Sequence, residues 1–154
     1  MEKIEYRKAK LEDLPVLYEF EQQIIAAERP FDPTLKPGHI NYYDLKAKVL
    51  ESTSEVIVAV SGDKLVSSGY GSIRTPKNYF IFDQYVYMGF MYVRPEFRGR
   101  GVIKGLIERL EAWAVSQNIK EVRLDVYNDN AAALRAYEKA GFKKHMIEMR
   151  REIS

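Results

Sequence analysis

The alternation of apolar and polar residues predicts one strand and two helices in the first third of the chain. A period of two over Lys3–Lys8 predicts a short strand, and a helical period from Glu12 onward predicts the first helix. Three prolines and a glycine within Glu28–Gly38 indicate a loop. The pattern then becomes helical again, and Tyr42–Leu50 is predicted as a second, short helix.

The middle of the chain has the pattern of three consecutive strands. Glu55–Val60 is compact and rich in β-branched residues, which favours a strand. Ser61–Lys64 is typical of a hairpin turn, and the apolar stretch LVSSGYGSI after it predicts the next strand. A turn at TPKN separates this strand from a long aromatic stretch, Tyr79–Val93, predicted as the third.

The last third alternates helix and strand. An apolar stripe from Val102 to Trp113 predicts a helix, and Val122–Tyr127 predicts a strand. Ala131–Ala140 is rich in alanine and is predicted as a helix that ends at Gly141, a residue suited to the left-handed conformation there. Met146–Arg150 is predicted as a final strand. This order of elements predicts an α/β fold in which the helices pack on one sheet.

The composition indicates a globular domain and argues against several classes of partner. The chain has 154 residues, 46% of them hydrophobic and 30% charged, which predicts one globular domain over 1–154. A net charge of +2 argues against a dedicated nucleic-acid partner, and no apolar stretch is long enough to cross a membrane. There is no cysteine, and His39 and His145 are the two histidines, so we expect no metal site and a cytoplasmic location.

The stretch Arg98-Gly99-Arg100-Gly101 joins a predicted strand to a predicted helix. Glycines let backbone N–H groups approach a ligand closely, and the start of a helix carries a partial positive charge. These properties suit a phosphate group. The same residues also fit an ordinary loop or, less well, a short nucleic-acid-binding tract, so the turn alone leaves three alternatives open.

Two motifs around this turn resemble those of the GCN5-related N-acetyltransferases. The first signature of that family is Gln or Arg, two residues, Gly, one residue, and Gly or Ala. Residues 98–102 match its first five places, and Ile103 departs from the last, where the family usually has a small residue. The second motif is matched by Asn130, Ala133, Tyr137, Gly141 and Phe142. The resemblance covers about Met88–Lys143.

The resemblance implies a mostly antiparallel sheet with one splayed strand pair, flanked by helices, and a site for acetyl-CoA. Gly89–Val93 would leave its neighbouring strand and pair with the pantetheine arm, and the glycine turn would hold the pyrophosphate. Asn130, whose position before the predicted helix also suits an N-cap, would contact the pantetheine arm or the nucleotide. Tyr137 would protonate the leaving thiolate. The implied cofactor-binding set is Met91, Tyr92, Val93, Arg98, Gly99, Arg100, Gly101, Val102, Ile103, Asn130 and Tyr137.

The activity that the resemblance implies is N-acetylation of a primary amine, in a small molecule or a peptide, by direct attack on acetyl-CoA. The carbonyl oxygen would be polarised by a backbone N–H near Met91. We expect a monomer or homodimer that uses no metal. The alternative is a module that binds coenzyme A without transferring a group, because the strand position where relatives carry a base is Tyr87 or Gly89 here.

The general base and the acceptor site have several candidates. Asp83, Glu28 and Asp32 are the alternatives for the base. The acceptor is expected beside the Glu28–Gly38 loop, and a combination of acidic and aromatic residues suits a cationic amine. The candidate acceptor residues are Glu28, Phe31, Asp32, Tyr85 and Tyr87, with Tyr42 and Tyr43 as further wall residues.

Overall fold

A computed structural model describes residues 3–154; Met1 and Glu2 of the predicted domain lie outside the described residues. Its five strands form one sheet in the order in which they occur along the chain. The first four are antiparallel neighbours and the last pair is parallel. The strands are β1 (Ile4–Lys8), β2 (Ser54–Ser61), β3 (Lys64–Arg74), β4 (Tyr85–Val93) and β5 (Val122–Arg123). The helices are α1 (Leu14–Glu28), α2 (Leu45–Leu50), α3 (Val102–Ser116) and α4 (Ala131–Lys139). The predicted α/β class with flanking helices is confirmed.

Each face of the sheet has its own hydrophobic core, because successive residues of a strand point to opposite faces. In β2, Val56 and Val58 pack with Leu17 and Phe20 of α1, while Ile57 packs with α3 on the other face. The sheet therefore lies between α1 and α2 on one side and α3 on the other. Within residues 3–154, every helix is too short or too polar to cross a bilayer.

A buried carboxylate fixes the segment between α1 and α2. Glu21 is 1% exposed, and its Oε2 accepts hydrogen bonds from the backbone N–H groups of Tyr42 and Tyr43 at 2.9 and 2.8 Å. Neither residue is helical in the structure, which corrects the predicted start of α2 at Tyr42. The helix begins at Leu45 instead, where the Asp44 side chain caps it by accepting a hydrogen bond from the Ala47 N–H.

A bulge interrupts β4 where it faces β3. Ser68 is opposite Tyr92 and Tyr70 is opposite Gly89, so two residues of β4 face one residue of β3. Phe90, one of the two, has a φ of 60°, which is unusual for a side-chain-bearing residue. The hydroxyls of Ser67 and Ser68 donate hydrogen bonds to the backbone carbonyls of Tyr92 and Phe90, at 2.6 and 3.1 Å. The bulge is thus held by buried side chains of β3.

Gly69 lies opposite this bulge, and its lack of a side chain is required there. A Cβ at this position would lie 2.5 Å from Sδ of Met91 and 2.5 Å from Cδ2 of Leu106. Real carbon atoms do not approach so closely, so the Met91 side chain occupies the space that any larger residue would need. The bulge and Gly69 form one packing unit.

Two predicted strand boundaries and one predicted strand are wrong. The strand predicted over Val122–Tyr127 ends at Arg123, because β4 diverges from it and offers no further backbone partner. The final strand predicted over Met146–Arg150 does not form, and its apolar side chains are exposed, with Met149 at 88%. The predicted strand from Tyr79 begins at Tyr85 instead.

The residues before β4 form an aromatic loop rather than a strand. The Arg123 guanidinium carbon lies 5.3, 5.3 and 5.6 Å from the ring centres of Phe80, Phe82 and Tyr85. Cation–π attraction favours this arrangement over an extended strand, which would place Tyr85 on the opposite face from Phe80 and Phe82.

Replacing Glu21 with alanine should destabilise the fold, because two N–H groups would lose a charged acceptor inside the protein. We expect the free energy of unfolding to fall by about 2–4 kcal/mol. Urea denaturation measures this change. Glu19→Ala, at an exposed position of the same helix, should shift the free energy of unfolding by less than about 0.5 kcal/mol. Equal denaturation midpoints for the two variants would contradict the role of Glu21.

Candidate functional site

The site is built around a gap in the sheet between β4 and β5. These parallel strands pair only at Val86 with Val122 and at Tyr87 with Arg123. From Met88 to Val93, no described strand pairs with β4 on this side. Of the three predicted contact residues, Met91 and Tyr92 are half-buried and Val93 is buried. The strand therefore keeps an open backbone edge over the length where the sequence predicts a ligand.

The glycine turn lies directly beyond the end of β4. Gly99 and Gly101 have φ values of 75° and 76°, in the left-handed region that favours glycine. A Cβ added to either would meet no atom within 4 Å, so the turn borders open space. Within residues 3–154, no side chain caps the start of α3 at Val102, whereas α2 and α4 are capped by Asp44 and Asn130. The first N–H groups of α3 remain available to an anion.

The two arginines of the turn stabilise its shape and add positive charge beside the start of α3. The Arg98 Nε donates a hydrogen bond to the Val93 carbonyl at 3.1 Å, which ties the turn to the end of β4. The Arg100 guanidinium carbon lies 5.3 Å from the centre of the Phe97 ring. Both residues are exposed and keep positive charge beside the helix start.

Ile103 faces the protein interior. It is half-buried and packs against both the core beneath α3 and a smaller core formed by Ala59, Val66, Val93 and Val102. Its size is therefore accommodated by the core, while its backbone belongs to the first turn of α3. This placement explains how the chain tolerates a large residue where its first motif departs from the family pattern.

The second motif forms α4 and its ends. The Asn130 Oδ1 accepts a hydrogen bond from the Ala133 N–H at 3.2 Å, so Asn130 caps the helix, as its sequence position predicts. Gly141, with a φ of 98°, follows the end of the helix in the predicted left-handed conformation. Tyr137 is half-buried as a whole residue and contacts Phe142 at 6.1 Å between ring centres. Burial of its phenol, followed by the negative charge of Glu28, raises the pKa of Tyr137 to about 12.

The loop after α1 is attached to the segment after β5. The Tyr127 hydroxyl donates a hydrogen bond to Asp32 Oδ2 at 2.6 Å, and the rings of Phe31 and Tyr127 stack with centres 6.2 Å apart. Hydrogen bonds from the Thr34 hydroxyl, Tyr127 and the Thr34 N–H lower the pKa of Asp32 to about 2. Asp32 is therefore an anchored, ionised carboxylate, and two of the predicted acceptor residues lie together here.

Glu28, at the end of α1, lies among tyrosines from other parts of the chain. Burial raises the pKa of its carboxyl, the Tyr42 hydroxyl acts in the opposite direction, and the charge of Asp32 raises it further. Burial also raises the pKa of the surrounding phenols above their ordinary value, with Glu28 as a further cause. These phenols belong to Tyr42, Tyr43, Tyr127 and Tyr137.

The remaining candidates lie elsewhere. Tyr87 donates a hydrogen bond to Asp125 Oδ2 at 3.2 Å, and the Arg74 guanidinium carbon lies 3.8 Å from its ring centre. Tyr85 belongs to the aromatic group around Arg123. Asp83 is exposed in the loop before β4. The structure thus brings Glu28, Phe31 and Asp32 into one group and separates them from Tyr85 and Asp83.

Sequence reasoning gave no role to Tyr127 and Asp125. Both residues follow β5 and are two positions apart, a spacing that places side chains on the same face of an extended segment. This spacing is the signal that the sequence contains for the pair. Their partners, Asp32 and Tyr87, are 95 and 38 residues away in sequence, and only the folded chain shows the contacts. Within the described residues, no three Asp, Glu or His side chains gather as a metal site would require.

Comparison with known proteins gives a family and a fold. The model of the acetyltransferase (GNAT) family matches residues 17–142. A predicted acetyltransferase from Clostridium acetobutylicum, solved with acetyl-CoA, is 19% identical with a TM-score of 0.73, and the match covers 96% of each chain. A variant of a Bacillus halodurans protein is 19% identical with a TM-score of 0.87, over 97% of this chain and 99% of that one.

A third solved structure is similar over its whole length. Glucosamine-6-phosphate N-acetyltransferase from Arabidopsis thaliana is 19% identical with a TM-score of 0.69, over 99% of this chain and 100% of that one. At this level of identity, the three structures show that the fold is shared.

Ile103→Ala should lower stability and leave the glycine turn intact, because the side chain packs into the core. We expect a loss of about 1–3 kcal/mol in the free energy of unfolding, less than for a fully buried isoleucine. Urea denaturation measures it, and Lys104→Ala is the control at the next, exposed position. A variant as stable as the parent, with altered binding of acetyl-CoA, would show that Ile103 acts on the turn instead.

Proposed function

Because the chain belongs to the acetyltransferase (GNAT) family, we propose that it transfers the acetyl group of acetyl-CoA to the nitrogen of a primary amine. The observation that carries this proposal is the gap between β4 and β5, which lies next to an uncapped helix start. The gap and the helix start suit the two parts of the cofactor, an amide-containing arm and a pyrophosphate. Acetyl-CoA supplies an activated thioester when bound.

This geometry supports the cofactor-binding residues that the sequence predicts. The open edge of β4 at Met91, Tyr92 and Val93 supplies backbone partners to the pantetheine amides, as an added strand would. The N–H groups from Gly99 to Ile103 receive the pyrophosphate, and Arg98 and Arg100 add positive charge. The Asn130 Oδ1 is used by the helix cap, so its side-chain NH₂ group is the part that serves the cofactor.

Chemistry takes place where β4, α4 and the end of α1 meet. The N–H of Met91 polarises the thioester carbonyl and stabilises the charge that develops on its oxygen. Tyr137 donates a proton to the departing thiolate. With its pKa raised to about 12, the phenol is protonated at neutral pH and carries the proton that the thiolate takes.

The acceptor is a cationic amine that enters from the side of the α1–α2 loop. Glu28 and Asp32 supply negative charge, and Phe31 and the neighbouring tyrosines supply aromatic faces, a combination that favours cations. The neighbours' acceptors, among them glucosamine 6-phosphate, are compatible with a small amine. Tyr87 contributes through its hydroxyl, which is held by Asp125. A cytoplasmic location, a single domain and a monomeric or homodimeric state stay predictions.

Two measurements test the proposed function. Titration calorimetry should detect acetyl-CoA binding, and an amine panel should show release of free coenzyme A thiol that depends on both substrates. Absence of binding at millimolar acetyl-CoA would exclude the function. Binding without thiol release on any amine would instead support the coenzyme A-binding module without transfer activity.

Tyr137→Phe should lower kcat by about 100- to 10,000-fold, because the thiolate would leave without a proton donor. Its affinity for acetyl-CoA should change little, since the ring and its packing are retained. Steady-state kinetics and calorimetry separate the two effects, and Tyr18→Phe, at an exposed position of α1, is the matched control. Equal turnover of the Tyr137→Phe variant and the parent would exclude the acid role.

A further inference from the structure

The backbone of β4 changes phase along its length. In a regular strand, the N–H groups of every second residue face the same neighbouring strand. The Val86 N–H donates a hydrogen bond to the carbonyl of Glu121, directly before β5, at 2.9 Å. The Arg94 N–H instead donates to the carbonyl of Val66, in β3, at 2.8 Å. Both positions are even-numbered and would face the same neighbour in a regular strand, so the phase changes between them.

The bulge at Phe90 accounts for this change of phase. Two residues of β4 face one residue of β3 there, so every position beyond the bulge is displaced by one relative to a regular strand. Counted back from Arg94, Tyr92 faces β3, whereas Val93 and Met91 face the gap. The bulge therefore determines which N–H groups of β4 are presented to a ligand.

The Met91 N–H and the Phe90 carbonyl belong to one rigid unit. The peptide bond between the two residues is trans, and its atoms lie close to a plane. In such a unit the N–H and the C=O point in opposite directions. A group that fixes the direction of the Phe90 carbonyl therefore fixes the direction of the Met91 N–H as well.

Ser68 of β3 holds that carbonyl. The serine is 0% exposed, and its hydroxyl donates a hydrogen bond to the Phe90 carbonyl at 3.1 Å. A bulge disrupts the backbone ladder locally, and a buried carbonyl without a donor costs free energy, so a side-chain donor stabilises this position. The bond draws the carbonyl toward β3. The Met91 N–H is consequently turned away from β3, toward the gap.

The two ends of the peptide unit are fixed by packing on opposite faces of the sheet. Phe90 is 1% exposed in the core beneath α1, where its ring centre lies 5.4 Å from that of Tyr43. The Met91 side chain packs on the α3 face, in the space that Gly69 leaves beside Leu106. With both ends held, the remaining freedom is rotation of the unit about the line between its Cα atoms. The Ser68 hydrogen bond restrains this rotation.

We propose that Ser68 is a positioning residue for acetyl transfer, because its hydroxyl holds the Met91 N–H, through the Phe90 carbonyl, in the direction of the thioester oxygen. The role rests on the proposed function, in which this N–H stabilises the charge that develops on that oxygen. A donor that is already oriented does so without rearranging during the reaction. Since Ser68 is fully buried, it acts through the peptide unit and does not touch either substrate.

The test compares Ser68→Ala with the wild type in ¹H–¹⁵N NMR spectra recorded with and without acetyl-CoA. In the wild type, the Met91 amide proton should move downfield as it bonds to the thioester oxygen, and most of this shift should be lost in the variant. Calorimetry should show a similar affinity for acetyl-CoA, because the pyrophosphate contacts are retained. On an amine that the wild type acetylates, kcat should fall about 10- to 100-fold, since the donor is displaced and not removed.

Ser72→Ala is the matched control for a merely structural effect. Ser72 is a buried serine of the same strand, and its hydroxyl oxygen lies 2.6 Å from that of Ser54, far from the bulge in register. Both alanine variants should lower Tm, because each loses a buried hydrogen bond, but Ser72→Ala should keep the Met91 shift and kcat. Ser68→Cys is a milder variant that keeps a weak donor of similar size, and its Met91 shift should be intermediate.

The outcomes separate this role from the proposed function, because the NMR comparison needs no acceptor amine. A wild-type Met91 shift in Ser68→Ala or in Ser68→Cys overturns the role of Ser68 alone. An equal loss of the shift in Ser72→Ala also overturns it, since any loosening of β3 would then have the same effect. A wild type that does not bind acetyl-CoA overturns the proposed function and this role with it.

Discussion

The separation of β4 from β5 is the constraint on which the rest of the structure depends. The two strands pair at only two positions, and β4 then turns away at the Phe90 bulge. Buried serines of β3 hold the bulge, and Gly69 leaves the space that it needs. The bulge uses a costly backbone conformation, and it is maintained by packing on both faces of the sheet. The resulting gap lies between the helix start that suits an anion and the carboxylates that suit a cation.

The two sides of this gap have opposite electrostatic character for different structural reasons. On the α3 side, positive potential arises from backbone N–H groups that no side chain of the described residues caps, with exposed arginines nearby. On the α1 side, negative charge comes from carboxylates at the end of a helix and in the loop that follows. That loop is held at both ends, by Glu21 through the Tyr42 and Tyr43 amides and by Tyr127 through Asp32. The net charge of +2 does not reveal this division, because a total over the whole chain carries no information on where the charges lie.

Short-range patterns in the sequence predicted those structural features that depend only on residues close together in the chain. The glycine turn, the Asn130 cap and the left-handed Gly141 follow from short-range conformational preferences, and all three are observed. The class of fold follows from the order of helical and extended periods. The end of β5 at Arg123 was not predictable, because it is set by the curvature of another strand. Tyr42 and Tyr43 were expected beside Glu28, whereas the attachment of Tyr127 to Asp32 was not predictable, since it joins residues 95 positions apart in the sequence.

The weak attachment of β5 has a consequence for folding and for local motion. The first four strands are sequence neighbours joined in antiparallel order, apart from the helical insertion after β1, so most of the sheet assembles from contacts between adjacent strands. β5 must be brought back across the length of α3 to make a parallel pairing of two residues. Amide hydrogens at this edge would therefore exchange with solvent sooner than those of β2 and β3, by local opening that leaves the remaining sheet intact. A ligand that bonds to the open edge of β4 would slow this exchange, and it would complete an edge of the sheet that the chain itself leaves unfinished.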